Sequence, residues 1–586
     1  MKQRPQHLNR RHFLQGSAGV AGAAISGSLL GGCVDGTRSD DGAVGGPAPG
    51  GDGSLRFEHG VASGDPLPDR VILWTRVTPA DAGSGPIAVA WEVAADPEFT
   101  TLVLSGAVNT DASRDYTVKV DPSGLTAGTT YYFRFVAGGE VSPVGRTRTA
   151  PIGAVDRLRV GVVSCSSLAH GLFNVYRRVA ERSDLDVVLH LGDYIYEYGN
   201  GEYGDAREYE PAHEILSLED YRLRYAQYRR DRDLLAAHQQ HPFICIWDDH
   251  ESADNSFRDG ANNHTEGEEG SWTDRLAASV QAYYEWMPIR QPDASNPVRI
   301  YRQFRYGDLA EFDMLDTRII GRDEELPTPN GMIEASAIND ESRQLIGEEQ
   351  LGWLGNALNA STARWKFLGQ QVMFGQLHVV GTPELAELLS PAEAQIRMVP
   401  VAGTGGLLLN PDQWDGYAAE RRRLWDLIRG GQAAPAVSLN NVVILTGDIH
   451  TSWAMDITED PNNPLAYNPL TGDGSMAVEF VCPSVTSPGL GLPPQAETLL
   501  ESLAPSQNPH MKYIDLQQRG YILLDITPER TQAEWYYVPT ISETNDGEAL
   551  GAVFATTDGA NRLASGTQSE PRADAPPPAP SDRTTT

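Results

Sequence analysis

Four short apolar runs, each followed directly by polar residues, constrain the fold of this chain more than any other feature. The runs cover residues 158–163, 186–191, 243–247 and 441–446. Segments with helical patterns separate them, and strands that alternate with helices indicate an α/β layered sheet. Because such folds bind ligands where their strands end, we expect the polar clusters to form one site.

Ahead of these runs, residues 55–150 alternate apolar and polar residues in short segments separated by Gly, Pro and Asp turns. This spacing is typical of a small all-β sandwich. We therefore predict a β-sandwich domain over 55–150 and an α/β catalytic domain over 155–545. Residues 546–586 end in a Pro/Ala/Ser/Thr-rich stretch, which predicts a largely disordered C-terminal tail.

Residues 1–33 have the pattern of an export signal. Arg10 and Arg11 precede a mildly apolar run that ends in Leu30-Gly-Gly-Cys33. The paired arginines predict a twin-arginine signal, and a Sec signal that contains two arginines is the alternative. Cys33 fits a lipobox, so lipidation would tether the mature protein to a membrane, whereas cleavage without modification is equally open. We expect the protein in the periplasm, at the cell surface or secreted.

The chain carries 46 basic and 79 acidic residues, which gives a formal net charge of −33. A surface this acidic repels a phosphate backbone, so we expect no stable nucleic-acid binding. Residues 34–54 are rich in Gly, Asp and Pro and predict a flexible linker. Beyond the signal, no segment offers 18 consecutive apolar residues, so the sequence predicts no permanent membrane span.

The polar clusters after the strands supply thiol, carboxylate, phenol, amide and imidazole groups. Each residue alone has a structural interpretation: Asp193 as a helix cap, Tyr196 as core, Cys165 as an inert thiol and His450 as a buried polar contact. Several carboxylates at one sheet edge would repel each other unless a cation neutralised them. Their common placement therefore favours a metal site.

The ligand types suggest which metals these are. Asp193 and Tyr196 lie three residues apart in one loop. A phenol has a pKa of about 10, so only a strongly Lewis-acidic ion deprotonates it at neutral pH, which favours Fe³⁺ over Zn²⁺ or Mg²⁺. Cys165 suits the same iron, whereas Asp and Asn oxygens suit Ca²⁺. Two metals bridged by a carboxylate catalyse displacement at phosphorus.

These motifs resemble the PhoD-like alkaline phosphatase family, calcineurin-like metallophosphoesterases related to the purple acid phosphatases. The matching segments follow in family order: residues 60–66, 74–76, 164–165, 191–197, 247–251 with Asn255, 316–318, 414–417 and 447–453. The resemblance implies a twin-arginine signal, an N-terminal β-sandwich and a layered metallophosphoesterase domain.

The resemblance also implies a set of metal ligands. It implies that Fe³⁺ is held by Cys165, Asp193, Tyr196 and His450. Asp193 would bridge to Ca²⁺, for which Asn255, Asp448 and additionally Asp415 are the expected ligands.

His250 is positioned like the general acid of these phosphatases, and Asp249 would orient it or touch a metal. We assign Arg318 to clamping phosphate oxygens because a guanidinium matches them bidentately. Equally, Arg318 could brace the sheet edge.

The function implied is an exported alkaline phosphatase or phosphodiesterase that hydrolyses phosphate mono- and diesters with metal-activated hydroxide. A phospholipase D-like phosphodiesterase would use the same site with a larger diester. A non-catalytic surface protein, in which the metals only stabilise the fold, is the alternative from another class. Neither ligand set nor fold encodes the leaving group, so the sequence leaves the preferred substrate open.

Overall fold

The computed structural model describes residues 55–79, 85–326, 333–379, 399–402, 407–408, 411–430 and 439–580. The expected signal over 1–33, with Arg10, Arg11 and Cys33, lies outside the described residues. So does the linker over 34–54. Within the described part of the chain, no helix is both long and apolar enough to cross a membrane.

The described residues form 26 strands, numbered in chain order. They are β1 (Val61–Gly64), β2 (Ile72–Arg76), β3 (Ile87–Ala94), β4 (Leu102–Thr110), β5 (Thr117–Val120), β6 (Thr130–Ala137), β7 (Glu140–Val141), β8 (Gly145–Arg148), β9 (Leu158–Val163), β10 (Val187–His190), β11 (Pro242–Cys245), β12 (Arg302–Tyr306), β13 (Ala310–Met314), β14 (Ile333–Glu334), β15 (Trp365–Gly369), β16 (His378–Val379), β17 (Val399–Ala402), β18 (Leu407–Leu408), β19 (Val442–Thr446), β20 (Ser452–Ile457), β21 (Ala477–Val481), β22 (Met511–Asp515), β23 (Gly520–Ile526), β24 (Arg530–Tyr537), β25 (Ala549–Thr557) and β26 (Ala564–Ser565).

Eight α-helices connect these strands within the same described ranges. They are α1 (Asn174–Glu181), α2 (Leu218–Tyr228), α3 (Arg232–Gln240), α4 (Trp272–Trp286), α5 (Ala335–Ile338), α6 (Gly347–Ala360), α7 (Ala418–Ile428) and α8 (Pro494–Gln507). Polar side chains cap several of these helices. Ser217 caps α2, Asp231 caps α3 and Ser271 caps α4 by accepting backbone N–H groups of the first turn. These N–H groups have no hydrogen-bond partner within the helix itself.

Two large sheets carry the fold. The first has the order β26-β25-β24-β23-β9-β10-β11-β1-β2-β5, and the second has the order β12-β13-β15-β19-β21-β20-β22. In the first sheet β9, β10 and β11 are parallel neighbours. In the second sheet β13, β15, β19 and β21 are parallel neighbours. A small four-stranded sheet of β14, β16, β17 and β18 stands apart from both.

The side chains of β19 show how the layers stack. Val443 and Leu445 belong to the large core shared with β9 to β11 of the first sheet. Val442 and Ile444, which alternate with them, pack in a second core with leucines of α6 and α7. Each face of the strand is therefore buried, one against the other sheet and one against helices, as alternation along a strand requires. The predicted layered α/β fold is confirmed.

The N-terminal β-sandwich shares one of its sheets with the catalytic domain. β3, β4, β6, β7 and β8 form a separate five-stranded sheet, but β1, β2 and β5 extend the ten-stranded sheet beside β11. Val61 and Leu73 from the extension pack with Val89 and Phe133 of the smaller sheet. The two domains are thus continuous through hydrogen-bonded strands.

The C-terminal residues differ from the expected disordered tail. β25 pairs antiparallel with β24 inside the ten-stranded sheet. Farther on, Tyr132 Oη donates to Pro577 O at 2.7 Å, and the backbone of Ala579 bonds both ways with the Gln240 side chain. A Pro- and Ala-rich segment cannot form its own core, but its backbone carbonyls accept hydrogen bonds from the domain, and composition does not reveal these.

Candidate metal centre

The residues predicted to bind metal lie in loops that follow parallel strands of both sheets. Cys165 follows β9, Asp193 follows β10 and Asp249 follows β11, whereas Asp448 and His450 follow β19 of the second sheet. The sheets stack face to face with these strand ends on one side. Ligand atoms within 4.8 Å of one another form three groups: Cys165 with Asp193 and His450, Asp193 with Asp249 and His250, and Asp248 with Asp249 and Asp448.

Five of the predicted metal ligands have a left-handed backbone conformation. The φ angles are 62° for Cys165, 56° for Asp193, 51° for Asn255, 55° for Asp448 and 62° for His450. A non-glycine residue in this region costs about 1–3 kcal/mol, and such residues persist where the surrounding structure holds them. The fold therefore accepts strain in order to aim these side chains inward.

The first group consists of the Cys165 thiol, the Asp193 carboxylate and the His450 imidazole, and the phenol of Tyr196 contacts it. Tyr196 Oη lies 2.9 Å from Asp193 Oδ2 and 3.2 Å from His450 Nε2. His450 Nδ1 lies 2.7 Å from the carbonyl oxygen of Pro488 and donates its proton there. The lone pair of Nε2 is therefore directed toward the group, as in a histidine that ligates a metal.

The group that contains only carboxylates, Asp248, Asp249 and Asp448, surrounds Arg318 together with Asp412. The Nε of Arg318 lies 2.5 Å from Asp248 Oδ1, Nη1 lies 2.8 Å from Asp412 Oδ1 and Nη2 lies 2.5 Å from Asp448 Oδ1. The Arg318 side chain is 0% exposed. This arrangement is the bracing role that the sequence left open, since one guanidinium ties together loops from three strands. Clamping of phosphate by Arg318 stays a prediction.

His250 occupies a buried position beside both groups. Its Nδ1 lies 2.7 Å from Glu197 Oε2, and its Nε2 lies 3.8 Å from Asp254 Oδ1. Burial disfavours the charged ring, but the carboxylates of Asp249, Glu197 and Asp193 outweigh it and raise the pKa of His250 well above its usual value. These carboxylates therefore favour the protonated form of the ring.

Asn255 is brought to the site, but Asp415 is not. The Asn255 amide donates from Nδ2 to Glu325 Oε2 at 3.2 Å, and its backbone N–H donates to Asp249 Oδ2. Asp415 Oδ2 instead accepts the backbone N–H of Leu377 at 2.9 Å, and its Oδ1 pairs with Arg421. The expectation that Asp415 ligates calcium is corrected accordingly, because a 3₁₀-helix over Trp414–Tyr417 commits its carboxylate to those partners.

The donor set fits metal ions. Among the described residues, the buried oxygens Asp193 Oδ1 and Asp248 Oδ2 have no hydrogen-bond partner. Burial, reinforced by neighbouring carboxylates, raises the pKa of Asp193 well above its usual value, and the pKa of Asp448 rises to about 6 mainly through burial. Repelling carboxylates with unused lone pairs need a cation. Sulfur and nitrogen in one group suit a transition metal, and the all-oxygen group suits a hard cation.

Sequence reasoning missed several supporting residues. The Glu251 carboxylate accepts the backbone N–H groups of Asp193 at 3.0 Å, Tyr194 at 2.7 Å and Asp248 at 2.8 Å, and so fixes two loops together. Glu251 could have been found, since it belongs to the same post-strand run as His250. Ser487, whose Oγ lies 2.6 Å from Tyr196 Oη, carries no local signal because the loop after β21 brings it from far along the chain.

Comparisons with known proteins show the family of this chain. Residues 160–535 match the model of the PhoD-like phosphatase family, and residues 47–151 match that of the PhoD-like phosphatase N-terminal domain. The chain is 36% identical over 560 residues to alkaline phosphatase D of Bacillus subtilis (strain 168), covering 93% of this chain and 87% of that protein. A solved structure described as "Structure of PhoD" superposes with a TM-score of 0.74 at 34% identity, over 88% of this chain and 93% of that one. The chain therefore belongs to the PhoD-like phosphatase family and is a phosphoric ester hydrolase of the alkaline phosphatase D type.

Proposed function

We propose that this chain is an exported alkaline phosphatase and phosphodiesterase that works with Fe³⁺ and Ca²⁺. The observation that supports it most is the meeting of a thiol, a phenol and an imidazole on one carboxylate, beside a group of carboxylates alone. The phenol of the first set favours a ferric ion, with which a thiolate and an imidazole are compatible, and the second set offers only the hard oxygen donors that suit calcium.

Fe³⁺ would be held by Cys165, Asp193, Tyr196 and His450. Asp193 would bridge to Ca²⁺, with Asn255 and Asp448 as further ligands and with Asp248 and Asp249 within reach. When bound, the two ions activate water and offset the negative charge that develops on the phosphoryl group.

The chain's own residues would handle the leaving group. His250 is oriented by Glu197, which accepts the proton of Nδ1 and leaves Nε2 facing the carboxylates of the site. A protonated His250 could donate from Nε2 to the leaving oxygen. Asp249 would keep this imidazolium charged, and Arg318 would hold the carboxylate loops in place.

The experiment combines metal analysis with a substrate panel. We expect purified protein to contain iron and calcium and to hydrolyse a phosphomonoester and a phosphodiester, with activity lost to a calcium chelator and restored by Ca²⁺. Zinc alone would contradict the metal assignment. Faster cleavage of phosphatidylcholine than of either simple ester would favour the phospholipase D-like alternative. Metal-loaded protein that hydrolyses none of the three would favour a binding protein.

A further inference from the structure

The Glu197 carboxylate, which orients His250, is itself fixed by hydrogen bonds to both of its oxygens. Glu197 is 0% exposed, and its Oε2 lies 2.7 Å from His250 Nδ1. Its Oε1 accepts the backbone N–H of Asp254 at 2.9 Å and an N–H of the Asn263 side-chain amide at 2.8 Å. Across the described ranges, no lysine or arginine nitrogen lies within 4.0 Å of this carboxylate. A neutral amide therefore supplies a side-chain donor that this buried carboxylate needs.

Asn263 is held firmly enough to fix another side chain. It is buried, with 5% of its surface exposed. Its backbone N–H donates to the carbonyl oxygen of Asp254 at 3.2 Å, and its own carbonyl oxygen accepts from Arg275 Nη1 at 2.8 Å. Arg275 belongs to α4, is itself buried, and donates from Nη2 to Glu214 Oε1 at 2.9 Å. The backbone of Asn263 is thus anchored on both sides, and its amide reaches Glu197 from a fixed point.

The direction in which His250 faces depends on this arrangement. Its Nε2 lies 3.8 Å from Asp254 Oδ1, and the ring forms one of the candidate ligand groups with Asp193 and Asp249. A carboxylate that is bonded at one oxygen can turn about its side-chain torsions, and the imidazole bonded to it would turn as well. The two donors on Glu197 Oε1 remove this freedom, and they therefore fix the ring as partners of a ligand fix the ligand.

We propose that Asn263 is a positioning residue for the hydrolysis: its amide fixes the Glu197 carboxylate and so keeps His250 Nε2 directed at the leaving oxygen. This inference rests on the proposed function, in which His250 protonates that oxygen. A neutral donor suits this place, because a lysine or arginine beside Glu197 would form an ion pair with the carboxylate and compete with His250 for it. The Asn263 amide holds the carboxylate and leaves its charge available to the imidazole.

The test compares two esters that differ in how much their leaving oxygen needs a proton. The leaving oxygen of 4-nitrophenyl phosphate needs little protonation, whereas that of phenyl phosphate needs more. We expect Asn263→Ala to lower kcat about tenfold on phenyl phosphate, as the loss of one hydrogen bond to a charged group predicts, and much less on 4-nitrophenyl phosphate. KM and the content of iron and calcium should stay unchanged.

Asn262→Ala is the matched control. Asn262 is the neighbouring residue, and its backbone N–H also donates to the carbonyl oxygen of Asp254, at 3.0 Å. Its side chain is exposed and reaches Glu325 Oε2 at 3.5 Å instead of Glu197. The same substitution on the same loop should therefore leave the ratio of the two kcat values as in the wild type.

A double variant shows whether Asn263 acts through Glu197. In a Glu197→Gln background, Asn263→Ala should cost little more, because the carboxylate that it fixes is already gone. A full tenfold loss in that background, or an equal loss on both esters in the single variant, would overturn the inference. Asn263→Leu, which has a similar shape and no donors, takes the same measurements if Asn263→Ala does not fold. Wild-type protein that hydrolyses neither ester, or a His250→Gln variant without a larger loss on phenyl phosphate, would instead count against the proposed function.

Discussion

Tyr196 illustrates how the chemistry of this site depends on single atoms. Its hydroxyl contacts Asp193, His450 and Ser487. Burial, followed by the nearby Asp193 carboxylate, raises the pKa of the phenol well above its usual value. Without a cation the phenol therefore keeps its proton, and only a strongly Lewis-acidic ion would displace that proton.

Replacing Tyr196 by Phe tests whether this ion is ferric iron. A phenolate on Fe³⁺ absorbs visible light by charge transfer, so we expect the wild-type protein to be coloured and Tyr196→Phe to bleach or shift the band. Absorption spectra at equal iron content measure this. Tyr467→Phe, which removes a buried phenol bonded to Asp456, is the control and should keep the band. An unaltered band in Tyr196→Phe would exclude Tyr196 as a ligand.

His250 permits a second prediction at the same scale. His250→Gln removes the proton donor, and general acid catalysis contributes about 100- to 10,000-fold, so kcat should fall within that range while iron and calcium remain bound. The kcat of Glu197→Gln should fall less, because Glu197 only orients the imidazole ring of His250. His213→Gln, an exposed histidine, is the control. The loss should shrink for esters with good leaving groups, and an equal loss on all esters would contradict the acid role.

At the scale of elements, two loops after neighbouring strands depend on a close approach of their backbones. Gly192, after β10, has a φ of 103°, and a Cβ there would lie 2.4 Å from Asp248 Cβ and 2.7 Å from its backbone nitrogen. The loop after β11 could not then occupy its place. The spacing of the two carboxylates Asp193 and Asp248 is thus set by the absence of one side chain.

Gly192→Ala should therefore destabilise the protein by about 2 kcal/mol or more, through overlap and backbone strain, and weaken metal retention. Gly201→Ala is the matched control, since Gly201 also has a positive φ, 74°, but open space around its Cβ position; it should cost about 1 kcal/mol. Urea unfolding of the metal-free proteins gives both values. Equal destabilisation by the two changes would show that the overlap does not matter.

At the scale of the whole molecule, the C-terminal residues join parts that lie far apart in the chain. Arg159 Nη1 donates to Ser569 Oγ at 2.9 Å and to Glu570 O at 3.0 Å, and Arg572 Nη1 lies 2.9 Å from Asp186 Oδ1. Asp186 directly precedes β10, and Asp193, a predicted metal ligand, lies beyond the other end of that strand. The tail therefore crosses the side of the sheets opposite the metal centre.

Deletion of residues 567–586 should lower the Tm by several degrees, since it leaves the buried Arg159 with fewer partners, while kcat stays close to that of the full chain. Arg572→Gln, which removes the ion pairs with Asp186 and Asp574 but keeps the contacts of Arg159, should have a smaller effect. Thermal unfolding and steady-state kinetics on one ester measure both quantities. An unchanged Tm would mean that these contacts add nothing to stability.

Export also concerns the whole chain. If the twin-arginine route carries the protein, changing Arg10 and Arg11 together to lysine should leave the activity in the cytoplasm, and fractionation of cells measures its location. Cys33→Ser should move a lipidated protein from the membrane to the soluble fraction. Unchanged export of the double variant would indicate the Sec route, and a mature N-terminus mapped beyond Val34 would exclude the lipid.

By itself, the sequence determined the layered fold and most of the site, because the polar residues directly follow the strands in the sequence and the strands fix their positions at one edge of the sheets. Cys165, Asp193, Tyr196, His250, Asp448 and His450 were predicted from their places after strands and from the family motifs, and the structure brings them together. Only the tertiary structure decided that Asp415 faces Arg421, that Arg318 contacts Asp248, Asp412 and Asp448, that Ser487 adjoins Tyr196 and that the tail as far as residue 580 packs against the domain. Local patterns report which strand a residue follows, whereas these contacts join loops and termini that are distant in sequence, and a Pro-rich segment held through its backbone leaves no trace in its side chains.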